Sequence, residues 1–162
     1  MKRTQAIKER LNAHRDMLEK LEALKLELEY AEEQYGACKA PSFSGMPGGG
    51  GHTGKSETEV KVGRKIEIEE HVKRMQTKID RDWDELEPMV ENLKPIETLV
   101  VNLRYRYGGE WDAVCFAVFG RRKDYELELD RYMNKTFKIH GRALLSLSEM
   151  NDQTEIEEDA KL

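Results

Sequence analysis

The first part of the chain carries apolar residues at steps of three and four. From residue 2 to residue 35 charged side chains fill the positions between them, and neither glycine nor proline interrupts the run. This spacing predicts one long helix with a narrow apolar stripe. The stripe consists of Ile7, Leu11, Leu18, Leu21, Leu24, Leu28, Ala31 and Tyr35, with His14 filling one of its positions. Because one helix cannot bury such a stripe alone, a partner helix is expected.

A second run, residues 57–93, repeats the pattern. Gly63 favours a helix start near Arg64, and Pro88 predicts a kink or an end to the helix. The apolar stripe is Val62, Ile66, Val72, Met75, Ile79, Trp83, Leu86, Val90 and Leu93. Two matching stripes on either side of a connector predict an antiparallel, coiled-coil-like helical hairpin over residues 1–93, and they leave self-association through these helices open.

The connector, residues 36–55, is rich in glycine and has almost no apolar periodicity, which predicts a flexible linker. Gly49–Ser56 reads GGGHTGKS and matches the phosphate-binding P-loop pattern. A working P-loop follows a buried strand, and an apolar strand ending in Asp completes its magnesium site. The preceding CKAPSFSGMP is no strand, and no downstream run ends in such an Asp. We therefore expect a linker, with no nucleotide or other cofactor.

Residues 94–150 predict three further helices. Pro95 suits the first turn of one helix, Gly108 and Gly109 end it, and Gly120 ends the next. The last helix is expected from Asn134 to Met150. The expected inward faces are Ile96, Leu99, Val100, Leu103 and Tyr107; then Trp111, Val114, Cys115, Val118 and Phe119; then Thr136, Ile139, Ala143, Leu144 and Leu147. Since no stretch alternates with period two, the fold class is all-α: a long helical hairpin followed by a C-terminal trihelical unit.

Composition agrees with long solvated helices around a small core, since 36% of residues are charged and 7% are aromatic. Residues 151–162 are acidic and are expected to be disordered. The chain has no apolar run near 18 residues and no signal-peptide pattern, so we expect neither a membrane span nor export. Cys38 and Cys115 lie far apart and fit a reducing, cytoplasmic setting.

The charge of the last helix points to a polyanionic partner, although the whole chain has a net charge of -5. From Arg131 to Leu147 there are four formal cations and no acidic residue, and helical spacing places Lys135, Lys138 and Arg142 on one side. A helix that is basic on one side and apolar on the other, after a short helix and a turn, is typical of a helix-turn-helix DNA reader. The alternative is an ordinary solvated cationic face.

If the last helix reads double-stranded DNA, its cations are expected to contact phosphates, and Asn134, at the expected helix start, an adenine edge. The turn before it would clamp the DNA backbone. The predicted contacts are Asn134, Lys135, Lys138 and Arg142 on the helix, with Arg131, Arg121, Arg122 and Lys123 before it.

No arrangement of residues suggests catalysis or metal binding. His14, His52, His71 and His140 lie on different segments without ligand partners three or four residues away. No serine–histidine–aspartate set and no paired carboxylates stand out from the general glutamate background. We expect no enzyme active site and no metal.

Three segments give the chain a family resemblance. They are SFSGMPGGGG at 42–51, LVVNLRYRYGGEWDAVCFAVFG at 99–120 and KTFKIHGRALLSL at 135–147. With them the chain resembles the ArpU- or RinA-like transcriptional regulators encoded by phages of Gram-positive bacteria, whose C-terminal part is similar to region 4 of sigma-70-type factors. The resemblance implies a late-gene activator in the host cytoplasm that binds promoter DNA, alongside host RNA polymerase. The connection from Arg121 to Arg131 is longer than the usual turn of such a helix pair.

Two other functions remain open from the sequence. A phage packaging protein, such as a small terminase subunit, also combines helices with DNA binding but forms a closed ring. A coiled-coil interaction protein would use the hairpin alone and would have no DNA role.

Overall fold

A computed structural model describes residues 4–36 and 57–159 of the chain, and within these ranges the fold is all-α, as predicted. Helix α1 is Gln5–Gly36 and helix α2 is Glu57–Glu91. Helix α3, Pro95–Val101, continues into a π-helical turn, Asn102–Arg106. Helix α4 is Trp111–Phe119 and helix α5 is Leu129–Asp159. The glycine-rich linker and its P-loop-like motif lie outside the described residues.

The described chain forms two compact units, one of residues 4–19 with 78–159 and the other of residues 20–36 with 57–77. The division differs from the boundary expected between residues 93 and 94. The first unit contains the start of α1 and the end of α2 together with α3, α4 and α5, because these segments share one core.

That core joins α1, α2, α3 and α5 in the first unit. Its buried members are Ile7, Leu11, Trp83, Leu86, Val90, Leu93, Val101, Tyr105, Ala143, Leu144 and Leu147. Here α1 and α2 run antiparallel, since Arg10 pairs with Glu85 at 2.7 Å and His14 with Asp82 at 2.6 Å. A smaller cluster of Val100, Val114 and Ile139 packs α3, α4 and α5 against one another.

The second unit pairs the rest of α1 with the first part of α2. Arg64 pairs with Glu27 at 3.0 Å and Lys65 with Glu32 at 3.3 Å. The apolar stripe of α2 is shifted from the expected one here, because Ile66 is 48% exposed while Ile68 is buried. Ile68 lies eleven residues, or about three helical turns, before the buried Ile79, and it therefore faces the same side of the helix.

One expectation for α2 was wrong, since the helix begins at Glu57 and not near Arg64. Pro88 lies inside the helix, which continues past the proline to Glu91. Pro88 is exposed on the outer side, where its ring does not disturb the core.

The predicted inward face of α3 was partly wrong. Ile96, Leu99 and Tyr107 are 40%, 43% and 68% exposed. The buried face consists of Glu97, Val100, Val101, Arg104 and Tyr105. Glu97 and Arg104 are buried with ionic partners, so the inward face contains charged residues and apolar character alone gives the wrong helix phase.

The predicted buried faces of α4 and α5 are largely confirmed. Val114 and Cys115 of α4 are buried, and its other expected inward residues, Trp111, Val118 and Phe119, are half-buried. All five expected inward positions of α5 are buried: Thr136, Ile139, Ala143, Leu144 and Leu147. Helix α5 is longer than expected, because it begins five residues before Asn134 and continues beyond Met150 to Asp159, where the acidic composition predicts disorder.

Candidate nucleic-acid interface

The connection between α4 and α5, residues 120–128, is a series of turns held by aromatic side chains. Tyr125 stacks on Tyr132 with ring centroids 5.9 Å apart and meets Phe116 edge-on at 5.7 Å. The Tyr132 hydroxyl donates a 2.8 Å hydrogen bond to Asp124, which lowers the pKa of that carboxyl. At nine residues the connection exceeds the three- or four-residue turn of a helix-turn-helix. It presents Arg121, Arg122 and Lys123 to solvent.

The predicted cations of α5 form one exposed row, which we call the basic stripe: Arg131, Lys135, Lys138 and Arg142. Their steps of four, three and four place them along one side of a helix. The thirteen residues from Arg131 to Ala143 include no carboxylate to interrupt the row. Asn134 is also exposed. The prediction placed it at the start of the helix, but α5 begins five residues earlier, at Leu129.

Each cation of the basic stripe has its own surroundings. Arg131 pairs with Glu128 at 3.0 Å, which raises the pKa of the guanidinium. The Lys135 ammonium lies 4.9 Å from the centroid of the Tyr132 ring. Arg142 is the ionic partner of Glu97, at 3.8 Å, and that carboxylate is only 3% exposed. Lys138 is exposed to solvent at the middle of the row.

A groove of about 640 Å³ runs along this side of α5 and is lined by Phe119, Lys135, Lys138, Ile139, Gly141, Arg142 and Leu145. We call it the α5 groove. Its apolar floor comes from Ile139 and the end of α4, and its rim carries three cations of the basic stripe. Arg121 lies two positions after Phe119, which is one of the lining residues of the groove. An extended polyanion with carbon-rich portions suits such a surface.

Contacts of Arg104 and Trp111 hold the start of α4 against the π-helical turn and α5. The Arg104 side chain donates to the Gly109 carbonyl at 2.9 Å and contacts Glu110 at 3.2 Å, and its guanidinium lies 4.7 Å from the Trp111 ring centroid. Trp111 meets His140 of α5 edge-on, with centroids 4.9 Å apart. These contacts hold α5 on its buried side, opposite the exposed side that carries the basic stripe.

Several residues of this surface were not found from the sequence. Glu97 had no place in the predicted inward face of α3. Leu145 was left out of the predicted inward face of α5 but was not assigned to any surface site. Gly141 lies within the KTFKIHGRALLSL segment and was not itself predicted to have a role. A glycine inside a strongly periodic helix is the sequence feature that marks this position as unusual.

The three described histidines have different surroundings. His14 pairs with Asp82, His140 contacts Tyr105, His71 is exposed, and His52 lies outside the described residues. Within residues 4–36 and 57–159, no three His, Cys, Asp or Glu side chains are grouped so that they could hold a metal ion.

In comparisons with protein-family models, curated proteins and solved structures, the chain matches none. Over the described ranges, every helix is too short or too polar to cross a membrane.

Proposed function

We propose that this protein binds double-stranded DNA through the basic stripe and the cations of the connection before it, and that it acts as a transcriptional regulator. The observation that carries the proposal is the continuous row of exposed cations on one side of α5, from Arg131 to Arg142. Arg121, Arg122 and Lys123 are exposed on the connection before α5, and in this proposal they add to the same basic surface.

The dimensions of the row suit a DNA duplex. Eleven residues of helix span about 16 Å at 1.5 Å per residue, so the row can reach several phosphates on one side of a groove. A helix fits the major groove of B-DNA, where phosphate contacts fix its orientation and side chains such as Asn134 reach base edges.

The distribution of charge supports DNA over an unspecific cationic face. The basic stripe is concentrated in a chain whose net charge is -5, so the remaining surface is acidic. A polyanion is therefore attracted to one face and repelled from the others, which orients the protein during encounter. Lys135 contacts the Tyr132 ring and Arg142 pairs with Glu97, so the side-chain positions of these two cations are partly fixed before binding.

The regulatory part of the proposal rests on the family resemblance of the linker, the α3–α4 segment and the α5 segment. It extends the proposed DNA binding to a promoter of phage late genes and to host RNA polymerase as a neighbouring partner. Self-association through α1 and α2 belongs to the same proposal.

The test is DNA binding measured by fluorescence anisotropy over a range of salt concentrations, with wild type, Lys138→Ala and Lys135→Ala/Lys138→Ala. Each lost phosphate contact is expected to flatten the slope of log affinity against log salt by about one. Lys138 is preferred to Arg142 because its removal leaves no buried carboxylate behind. Lys25→Ala, an exposed lysine of α1, is the matched control and is expected to leave the slope unchanged.

An unchanged slope in the double variant would show that the basic stripe is not the DNA face. If the wild type fails to bind any duplex at low salt, the protein is not a DNA-binding regulator. A closed ring in solution, measured by light scattering, would instead favour the packaging function.

A further inference from the structure

Gly141 lies in the interior of α5, at a position where the fold does not require glycine. A Cβ atom built on it meets no heavy atom within 4 Å, and its φ is not in the left-handed region. Glycine is among the least favourable residues for a helix interior, because it loses the most backbone freedom on folding. The residue therefore weakens α5 without relieving any crowding inside the chain.

Other glycines near this site have structural reasons. Gly108 has φ +68°, and a Cβ on Gly109 would lie 2.7 Å from the Leu103 carbonyl oxygen. A Cβ on Gly120 would lie 2.5 Å from the Phe116 carbonyl oxygen. Gly141 differs from these three, since its missing side chain leaves open space on the solvent side of the helix.

That open space is part of the α5 groove. Gly141 lines the groove with Lys138, three residues before it, and Leu145, four residues after it. A ligand can approach the helix backbone more closely here than anywhere a side chain projects. The cations on the rim select a ligand with repeated negative charge, and the apolar floor suits carbon atoms between those charges.

We infer that Gly141 is the point of closest approach between α5 and one sugar–phosphate strand of bound DNA, and that it sets how deeply the helix enters the duplex. The inference rests on the proposed DNA binding and adds a positioning residue to it. In this arrangement the rim cations, Lys138 and Arg142, bind phosphates on either side of Gly141, and deoxyribose carbons face Leu145.

DNA is favoured over an acidic protein segment because the row of cations continues beyond the groove. Arg131 lies about 15 Å along the helix from Gly141, towards its start. Arg121, Arg122 and Lys123 lie on the connection that precedes this end of the helix. A strand of regularly spaced phosphates can use the whole row of cations, inside and beyond the groove.

The experiment compares Gly141→Ala with Gly63→Ala. Gly63 is the matched control, because it also lies inside a helix and a Cβ on it also meets nothing within 4 Å. Both substitutions are expected to raise Tm by about 2–4 °C, since alanine favours the helix. Only Gly141→Ala is expected to weaken DNA binding, by about tenfold, and Gly141→Leu more strongly. The salt slope should stay as in the wild type, because no cation is lost.

If Gly141→Ala and Gly141→Leu bind DNA as tightly as the wild type, the inference is wrong while the proposed function stands. If the wild type binds no DNA, both fail together. Sedimentation velocity on the same variants tests whether a second copy of the chain occupies the groove. If the wild type is a dimer that Gly141→Ala dissociates, and the DNA affinity is unchanged, the groove belongs to that second copy and the inference is overturned.

Discussion

The hydroxyl oxygen of Tyr105 lies 2.8 Å from Nε2 of His140, and both residues are buried, at 1% and 8% exposure. The pair joins the π-helical turn after α3 to the middle of α5, on the side of α5 away from the basic stripe. Burial, with additional effects from Lys8 and Arg104, lowers the pKa of His140 to about 4. Burial also raises the pKa of Tyr105. The pair is therefore neutral at pH 7.

The neutral state of His140 predicts a loss of stability in mild acid. An unfolded histidine ionises near pH 6.5, while the folded one does so near pH 4. The stability contribution of the neutral form is thus fully present above pH 6.5 and is lost as the pH falls from 6.5 to 4. Between pH 7 and pH 5 the wild type is expected to lose about 1–2 kcal/mol more unfolding free energy than His140→Gln. Urea unfolding at the two pH values measures the difference.

His71→Gln is the control for this prediction, because His71 is exposed on α2. It should keep the full acid sensitivity of the wild type. Equal acid sensitivity in His140→Gln and the wild type would contradict a neutral, buried His140.

The ion pair between Glu97 and Arg142 predicts unequal costs for removing two cations of the same row. Arg142→Ala leaves the buried Glu97 carboxylate without this partner, whereas Lys138→Ala leaves no such group. Because the guanidinium is 61% exposed, solvent screens the pair, and the extra destabilisation is expected to be about 0.5–1 kcal/mol. Urea unfolding of both variants checks this.

A double-mutant cycle separates the pair from other effects of the substitutions. Glu97→Gln should reduce the cost of Arg142→Ala, because the side chain left behind is then uncharged. A cost of Arg142→Ala that is the same in both backgrounds would show that the two charges do not interact energetically.

Two leucines of α5 form a matched test of the core. Leu147 is 1% exposed within the main core, while Leu145, two positions earlier, is 53% exposed in the α5 groove. Leu147→Ala is expected to cost about 2–5 kcal/mol because it opens a cavity. Leu145→Ala should change stability by less than about 0.5 kcal/mol. Similar losses in denaturant unfolding for the two variants would mean that α5 is rotated from the described position.

The hydrogen bond from Tyr132 to Asp124 predicts how firmly the connection before α5 is held. Tyr132→Phe removes the donor, so the pKa of Asp124 should rise towards its ordinary value. An NMR titration of the carboxyl group measures the shift. The variant should also be cut faster by trypsin after Arg121, Arg122 and Lys123, since loosened backbone is cleaved more readily.

Tyr30→Phe, at a tyrosine that is 59% exposed on α1, serves as the control for both measurements. If trypsin cuts Tyr132→Phe and the wild type at the same rate, the hydrogen bond does not hold the connection in place.

Periodicity predicted the fold where packing follows apolar character. For the described side chains, the stripe of α1 and the inward face of α5 agree with the prediction, because every buried position there is apolar or small apart from His14 and His140. Apolar periodicity gave the wrong inward face for α3, because Glu97 and Arg104 are buried there with partners that only the folded chain supplies. The start of α5 was also missed, because the acidic residues from Glu126 to Asp130 resemble a loop. The α5 groove could not be predicted, since it exists only where the end of α4 packs beside α5.

The main core contains both Leu11 and Leu144, which are 133 positions apart in the chain. During synthesis the first segment of α1 leaves the ribosome long before α5 does, so its buried face has no complete partner surface until most of the chain has emerged. Contacts of such long sequence separation form late and slow folding. The interval before α5 arrives is therefore when a nascent chain most needs protection by a chaperone.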